Sequence, residues 1–441
     1  MTHALDSYAA ERERAVRHLG AEDGFADLRD AAWREFSTTG FPTTQQEEWR
    51  FTSVAPIADG EFVVAAPGES PVPAIDVEPF RMSDAGAELV FVEGHHVPSL
   101  SRSTVLPRDA HVESLASAIA AHRERLGLHV ARVAPLEGRP FVALNAAFLA
   151  EGAWIQLPAG SVLEQPLHLL FVSGGRTGGQ PLMAHPRVVV ILGENSQASV
   201  VETFAGPDGA RYFTNTVTEI VVGENAGLEH YKLQYEGADA FHVGATHVRA
   251  ERHARYASHS ISLGGALVRN DLTAVLDGEG VECTLNGLYA ADAARLVDNH
   301  TTIDHVKPHG GSREIYRGIL ADRSRGVFNG KIIVRPDAQK TDAKQTNRAL
   351  LLSEDARINT KPQLEIFAND VKCTHGAAVG QLDDEALFYL RSRGLSEGTA
   401  RRLLTHAFAA DVLNRMPLEA VRARVDGRLQ RQLARALPDA A

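Results

Sequence analysis

The chain has 441 residues, of which 44% are hydrophobic and 23% are charged, so it can bury a large core and is long enough for more than one domain. Its net charge of −11 argues against nucleic acid as the main partner, because phosphate binding favours a basic surface. The two cysteines, Cys283 and Cys373, lie far apart in the sequence and do not indicate a secreted disulfide framework. The sequence begins without the features of a secretory signal and contains no apolar run of membrane-spanning length. We therefore expect a cytoplasmic protein with no membrane partner.

The N-terminal region, residues 1–150, is predicted to be helical and mixed in structure. Apolar residues recur at spacings of three and four among many charges over residues 4–36, which predicts helix. A compact aromatic element follows at residues 47–52, with the sequence Glu-Glu-Trp-Arg-Phe-Thr. The helical pattern resumes over residues 109–128 and 139–150.

Residues 151–380 have the character of a β-rich domain. Short runs of β-branched residues alternate there with Gly, Asn and Asp turns. The turn sequence Gly193-Glu194-Asn195 recurs thirty residues later as Gly223-Glu224-Asn225. A period of this length is typical of stacked repeats, and no helical pattern separates the runs. We therefore predict a parallel β-helix over 151–380; a large β-sandwich, which has similar strand spacing, is the alternative.

Residues 381–441 are predicted to form a helical hairpin. Ser396 can cap a first helix, and Met416-Pro417 ends it. The apolar stripe of this helix comprises Ala400, Leu403, Leu404, Ala407, Phe408 and Val412. The stripe of the second helix comprises Val421, Val425, Leu429, Leu433 and Leu437. Both stripes must be buried against the core, a partner, or both.

Cys373 and His375 are the strongest candidates for metal chemistry. They are two residues apart, so on an extended strand both side chains point to the same face. One interpretation is a half-buried strand cysteine beside a hydrogen-bonded histidine. The other is an open, incomplete metal site that a second chain or labile ligands would complete.

Other chemistry is not indicated by the sequence. The chain lacks a phosphate loop, a Gly-x-Ser-x-Gly nucleophile motif and a His-Glu-x-x-His zinc helix. A closed zinc site needs four ligands, and two cysteines without a Cys-x-x-Cys pair do not supply the usual thiolate set. Loose histidine clusters are expected to be mostly structural or superficial; they comprise His242, His247, His253, His259, His300, His305 and His309.

Several short segments between residues 317 and 394 form a dense set of recognisable motifs. They are Arg317-Gly318-Ile319-Leu320, Phe328-Asn329-Gly330-Lys331, Ala338-Gln339-Lys340-Thr341-Asp342-Ala343, Gln345-Thr346-Asn347, Leu364-Glu365-Ile366, Asp370-Val371-Lys372-Cys373-Thr374-His375-Gly376-Ala377, Ala386-Leu387-Phe388-Tyr389-Leu390 and Arg393-Gly394. Upstream, Gly40-Phe41-Pro42-Thr43 precedes the aromatic element at 47–52. Together these segments resemble the SufB/SufD family, the scaffold subunits of the SUF iron–sulfur cluster assembly machinery.

The resemblance favours the SufD branch of this family. SufB-like chains carry a Glu-His-Glu-Ala type of sequence where this chain has His375-Gly376-Ala377. SufB also supplies an essential cluster-building cysteine and has a longer N-terminal region. A SufB-like paralog is the alternative.

The resemblance implies a mainly β fold, with a right-handed parallel β-helix flanked by N- and C-terminal helical regions. It implies a non-catalytic scaffold that pairs with a SufB-like subunit through the β-helix. The C-terminal helices would dock the ABC-type ATPase SufC, and we assign this contact to Leu403, Leu404, Ala407, Phe408 and Val412. A homodimer is possible when the subunit is isolated.

The same resemblance implies a role for His375, which corresponds by motif to the family's key SufD histidine. It would ligate or position iron opposite a cysteine of SufB, and Cys373 is the adjacent candidate ligand. No tightly bound cofactor is expected in the subunit alone; transient iron or a nascent cluster would be held at the interface. Two rival classes are a polysaccharide-active β-helix enzyme, which would need paired carboxylates or a calcium site, and a stand-alone metalloenzyme that uses the histidine clusters.

Overall fold

A computed structural model describes residues 2–17, 19, 23–65, 75–103, 105–174, 176–177 and 179–439. The helices are α1 (Thr2–Val16), α2 (Ala26–Thr39), α3 (Ala55–Ala58), α4 (Leu115–Gly127), α5 (Pro140–Ala147), α6 (Asp384–Ser392), α7 (Glu397–Leu413) and α8 (Glu419–Ala436). The strands before residue 200 are β1 (Val63–Val64), β2 (Ala87–Val92), β3 (His95–His96), β4 (His111–Ser114), β5 (Gly152–Leu157), β6 (Leu167–Val172), β7 (Arg176–Thr177), β8 (Gln180–Ala184), β9 (Arg187–Leu192) and β10 (Gln197–Ala205). The later strands are β11 (Phe213–Val222), β12 (Gly227–Tyr235), β13 (Phe241–Ala250), β14 (Arg255–Ser262), β15 (Leu267–Leu276), β16 (Glu282–Ala291), β17 (Leu296–His305), β18 (Gly311–Leu320), β19 (Arg325–Val334), β20 (Asp342–Leu351), β21 (Arg357–Ile366) and β22 (Lys372–Gly380).

Two long sheets form the body of the protein. From β9 onward successive strands alternate between the two sheets. The main path of sheet A runs β4, β5, β9 and then through the odd-numbered strands to β21. Sheet B runs β2, β6, β10 and then through the even-numbered strands to β22. Apart from the antiparallel pair β7 and β8, neighbouring strands from β5 to β22 pair in parallel, as β11 does with β13 and β20 with β22. This is a parallel β-helix, so the predicted architecture is confirmed and the sandwich alternative is wrong. The N-terminal region also contributes to it, because β2 pairs in parallel with β6.

The lumen between the sheets is filled by columns of side chains that stack in register. On sheet A one column is aliphatic from the first coil to the last. It consists of Ile155, Val190, Ile220, Val248, Ala274, Ile303, Ile332 and Leu364. Its members through Ile332 are buried, and full burial of a Val or Ile side chain stabilises the fold by about 1.5–3 kcal/mol. The apolar residues at alternate positions of each strand therefore form the inner wall of each coil.

The repeated Gly-Glu-Asn sequence marks the corner where the chain passes from sheet A to sheet B. Asn195 and Asn225 have left-handed backbones, with φ of 59° and 56°. The Asn195 N–H donates to the Glu224 carbonyl of the next coil at 2.9 Å, and the Asn225 side-chain amide donates to Asn195 Oδ1 at 2.5 Å. Asparagine tolerates this conformation better than most residues. The thirty-residue echo is therefore one coil of the β-helix, measured corner to corner.

The N-terminal helices cover part of the outer face of sheet A. The aromatic element at 47–52 lies there, with the Arg269 guanidinium 4.3 Å from the centre of the Trp49 ring. Thr52 Oγ1 donates to Asp298 Oδ2 at 2.5 Å. The helix predicted over residues 4–36 is two helices, α1 and α2, which belong to one apolar cluster with α5.

The described residues beyond 381 form three helices, α6 to α8, and the two helices of the predicted hairpin are α7 and α8. Ser396 caps α7 by accepting the Thr399 N–H at 3.2 Å, and Met416-Pro417 separates α7 from α8, as predicted. The stripe of α8 packs on the outer face of sheet B, together with the last turn of α7. None of the helices in the described ranges is long and apolar enough to cross a membrane.

One buried carboxylate joins the N-terminal region to the β-helix. Glu219, on the outer face of β11, accepts hydrogen bonds from the backbone N–H groups of residues 131–134 at 2.7–3.0 Å. Buried Arg187 donates to the same carboxylate through Nε at 2.9 Å and Nη2 at 2.7 Å. Burial alone would raise the pKa of Glu219, but the charge of Arg187 and the backbone donors outweigh it and hold the pKa below its ordinary value.

We expect Glu219→Gln to lower the free energy of unfolding at pH 7 by about 3–5 kcal/mol, because it leaves Arg187 buried without its counter-charge. In the wild type this contribution is present above the ordinary pKa of 4.5 and is lost as the pH falls below it, since the folded pKa is the lower one. Urea unfolding at pH 7 measures the effect. The control is Asp342→Asn, which breaks the half-exposed pair with Arg313 and should cost less than about 1 kcal/mol. Equal effects of the two substitutions would contradict the role given to Glu219.

Candidate functional site

The β-helix ends at β21 and β22 with both strand edges open. Within the described chain β21 pairs only with β19 and β22 only with β20. Nearly every residue of β22 is exposed, and Ile366, Phe367 and Val379 add exposed apolar surface at 40%, 58% and 49%. Open edges of this kind are ready to accept strands of another chain.

Cys373 and His375 lie on β22, on the face that looks into the lumen. In register, Cys373 is beside Ala343 and His375 is beside Gln345, and both of these β20 neighbours are buried. The predicted shared face is therefore confirmed. His375 is exposed and Cys373 is half-buried, because no further described coil covers them.

The Cys373 thiol is a weaker candidate ligand than the His375 imidazole. Burial raises the pKa of the thiol, and this outweighs the hydrogen bond with the backbone of Ala343 that lowers it. The thiolate, which is the form that binds metals, is therefore disfavoured in this chain alone. Cys283 stands in the same lumen column three strands away, which is roughly 14 Å at the usual strand spacing, so the two cysteines do not form a disulfide.

A polar column leads from the lumen to His375. In the register of sheet B the residues Leu285, Glu314, Gln345 and His375 occupy successive positions. Gln345 Nε2 donates to Glu314 Oε2 at 2.7 Å, deep in the interior. Burial raises the pKa of Glu314 to about 7. The last coils thus place a carboxyl group that can hold a proton at neutral pH two positions below the candidate histidine.

The polar groups of the last coils are only partly paired. Asn347 Nδ2 donates to Thr360 Oγ1 at 2.9 Å. Gln345 Oε1 and Asn347 Oδ1 are buried and have no hydrogen-bond partner among the described residues. Each unsatisfied buried polar atom costs about 1–3 kcal/mol, so these oxygens lower the stability of the fold at this end of the lumen. Periodicity in the sequence reveals the positions of these residues but not their missing partners.

Several of the histidines noted in the sequence are buried beside polar side chains of the β-helix. His242 Nδ1 lies 2.7 Å from Glu236 Oε2, and His259 Nε2 lies 3.0 Å from Glu229 Oε2. Burial lowers the pKa of His305 to about 4, so this imidazole is neutral. None of these clusters gathers three metal-ligating atoms within the part of the chain that the structure describes. The stand-alone metalloenzyme that would use them has no geometric support.

The residues assigned to partner binding on α7 do not form one exposed stripe. Val412 is buried against sheet B, and Phe408 is half-buried with the Arg317 guanidinium 5.3 Å from its ring centre. Leu404 is also half-buried, whereas Leu403 and Ala407 are exposed.

The aromatic residues of α6 were not among the predicted partner-binding residues, although they are exposed. Phe388 and Tyr389 are 75% and 57% exposed, and α6 itself contains no buried residue. The signal was present in the sequence, since two adjacent aromatic residues follow the Asp383 cap.

Comparison with known proteins places these features in a family context. Residues 174–408 match the family model described as "SUF system FeS cluster assembly, SufBD core domain", and residues 4–169 match "SufBD protein N-terminal region". The chain is 34% identical over 417 residues to an iron–sulfur cluster assembly SufBD family protein of Synechocystis, covering 92% of this chain and 91% of the relative. It is 34% identical over 395 residues to the iron–sulfur cluster assembly protein SufD of Escherichia coli, covering 90% of each. The SufD protein of Bacillus subtilis is 27% identical over 300 residues, 66% of each chain.

The raised pKa of Glu314 leads to a pH-dependent stability. Between the ordinary pKa of 4.5 and about 7 the folded protein retains a proton that the unfolded chain releases, so this group lowers stability as the pH rises through that window. The free energy of unfolding of Glu314→Gln should rise relative to that of the wild type as the pH increases. We expect this difference to grow by roughly 3 kcal/mol between pH 4.5 and pH 8. Urea unfolding of both proteins across this range measures the difference. Glu151, whose pKa burial also raises to about 7, is present in both proteins and cancels. A difference that does not change with pH would contradict the assignment.

Proposed function

The chain belongs to the SufBD family of iron–sulfur cluster assembly proteins, and from this premise we propose that it is a SufD-like, non-catalytic scaffold subunit. The observation that carries the proposal is the open last coil, with His375 exposed at the mouth of the lumen. The His375-Gly376-Ala377 sequence and the 34% identity to a protein named SufD support the SufD branch over the SufB branch.

The partner we propose is a SufB-like subunit that continues the β-helix across β21 and β22. These strands have 10 and 9 residues and offer open backbone edges beside exposed apolar side chains. Pro362 lacks an N–H and so removes one donor from β21, whereas β22 contains no proline. Strand addition would supply backbone hydrogen bonds and cover the apolar rim. When the partner is absent, two copies of this chain could use the same edges to form the possible homodimer of the isolated subunit.

His375 would serve as a ligand, or as a positioning group, for iron that is cargo of the assembly reaction. An imidazole nitrogen is a good ligand for iron, and one or two ligands from a single chain leave the coordination incomplete. An incomplete site suits a cluster that is built and then released. Cys373 remains a secondary candidate, since its protonated thiol would first have to lose its proton.

A SufC-like ATPase is proposed to dock on α6 and the exposed side of α7. Phe388, Tyr389 and Leu403 give this surface its most exposed apolar side chains. Leu404, Ala407 and Phe408 lie nearby on α7, and the buried Val412 supports the helix from beneath.

A mechanical route connects this docking surface to the open coil. Asp411 of α7 forms an ion pair with Arg317 of β18, and Phe408 packs against the same arginine. The strand β18 also carries Glu314, which belongs to the polar column below His375. We propose that movement of α7 imposed by the ATPase reaches the column through β18. The two unpaired cysteines are compatible with a reducing compartment, and we assign the assembly to the cytoplasm.

We expect His375→Ala to reduce cluster formation in cells by about tenfold or more. The complex of this chain with the SufB-like subunit and the SufC-like ATPase should still co-purify, because an exposed side chain contributes little to folding. The iron and sulfide content of a reporter iron–sulfur protein, measured beside co-purification of the complex, gives both readouts.

The matched control for this substitution is His253→Asn. His253 is exposed and has a left-handed φ of 56°, which asparagine tolerates. His242 and His259 are unsuitable controls, because both are buried beside carboxylates and their loss would destabilise the fold. If His375→Ala forms clusters at the wild-type level, the ligand role is wrong. If the complex no longer co-purifies, His375 is a structural contact rather than a ligand.

The docking surface is tested with the double substitution Phe388→Ser and Leu403→Ser. Both side chains are largely exposed, so the stability should change by less than about 1 kcal/mol, while affinity for the ATPase should fall at least about tenfold. Removing residues 381–441 is a poorer test, because it would uncover the face of sheet B under α7 and α8. Val105→Ser, at a side chain 96% exposed on the N-terminal region, is the control and should bind normally. Unchanged affinity in the double variant would exclude this surface.

A further inference from the structure

A second group of potential metal ligands lies at the end of sheet A opposite the open coil. His111 and Glu113 are on β4, and His122 is on α4. One ligand atom from each residue lies within 4.8 Å of the others, and this is the one such cluster of three in the described ranges. Two imidazoles and one carboxylate form the ligand set used by catalytic zinc sites and by non-haem Fe(II) sites, both of which keep open positions.

The distances fit a metal ion without rearrangement of the backbone. His111 Nδ1 lies 3.4 Å from Glu113 Oε1, and His122 Nε2 lies 3.7 Å from the same oxygen. Metal–ligand bonds of about 2.0–2.1 Å at a tetrahedral angle place neighbouring ligand atoms roughly 3.3 Å apart. The shared oxygen is therefore already close to the separation from both imidazoles that a metal would set.

Neighbouring side chains hold two of the ligands in place. Ser117 Oγ donates to Glu113 Oε2 at 2.6 Å, so the other carboxylate oxygen is left to face the histidines. The His111 ring stacks on buried Trp154, with ring centres 4.7 Å apart and planes 18° from parallel. Outer contacts of this kind orient metal ligands in known sites and affect metal affinity.

His122 reaches the group because α4 is irregular at that residue. Its φ of −133° and ψ of 28° are non-helical, although the residues on both sides continue the helix. The side chains of His111, Glu113 and His122 are 20%, 23% and 37% exposed. The cluster is thus open enough for an ion to enter and for water or another ligand to complete the coordination.

Arg125 is a neighbouring group that opposes a cation. Its Nη1 lies 3.1 Å from His111 Nε2, and its guanidinium is 5.9 Å from the centre of a Trp154 ring. When the arginine donates to Nε2, the His111 proton is on Nδ1 and blocks the atom that faces Glu113. Arg125 is exposed, so it can turn away to solvent and release the other tautomer.

We propose that His111, Glu113 and His122 bind a divalent first-row transition metal ion, with Arg125 as a competing cation that keeps the site labile. This site is separate from the iron cargo proposed at His375. The two ends of sheet A are eight strand steps apart in the order β4 to β21, which is roughly 38 Å at about 4.8 Å per step. An ion there would tie β4 to α4 at the end of sheet A opposite the open coil.

Titration of the full-length protein with Co(II), followed by its visible absorption and by calorimetry, tests the proposal. We expect one equivalent to bind in the wild type and the affinity to fall at least about tenfold in His122→Gln and in Glu113→Gln. Arg125→Ala should raise the affinity by roughly tenfold, because it removes a nearby positive charge and frees the His111 tautomer. Binding to the native state should also raise the melting temperature of the wild type but not of the two ligand variants.

His375→Ala separates this site from the open coil and should retain the Co(II) equivalent. Circular dichroism checks that each variant is folded. If His122→Gln alters the irregular turn of α4, Glu113→Gln still tests the site, because it leaves that turn unchanged. Absence of Co(II) binding in the wild type overturns the proposal. Binding that survives both ligand substitutions, or that is lost in His375→Ala, places the ion elsewhere and overturns it as well.

Discussion

Stacking of each coil on the preceding one in a fixed register is the constraint on which the rest of this structure depends. The hydrogen-bond ladders hold every strand beside its counterpart one coil earlier, so side chains at equivalent positions form columns through the lumen. The left-handed corners at Asn195 and Asn225 hydrogen-bond from one coil to the next and so help to hold the columns aligned. The open end follows from the same rule, because β22 leaves exposed the edge that each earlier strand of sheet B offers to the next.

Sequence reasoning succeeded where a pattern repeats with the geometry of one element. The corner echo predicted the coil, and the two-residue spacing of Cys373 and His375 predicted their common face. It failed where tertiary packing decides. The α7 stripe divides between sheet B and solvent because α8 covers only one side of it, and Val412 falls on the covered side. His122 joins His111 and Glu113 through a local break in α4, which no periodicity announces.

Buried polar groups of the β-helix are satisfied to different degrees. Glu219 is fully provided with donors, and it fixes the N-terminal region to a coil near the start. Near the last coil, Gln345 and Asn347 retain buried oxygens without partners among the described residues. Complete satisfaction favours a rigid joint, whereas incomplete satisfaction favours a surface that gains stability when another molecule covers it.

The packing of α7 and α8 across sheet B also has a consequence for synthesis on the ribosome. These helices cover apolar side chains on strands that were made much earlier, including Val201, Tyr231 and Ile261. A nascent chain can stack its first coils, but their outer apolar face stays exposed until α7 and α8 have emerged from the ribosome. Premature termination in that segment would thus yield a nearly complete β-helix with a large exposed apolar surface. Such a product would aggregate, or be bound by chaperones and degraded by proteases.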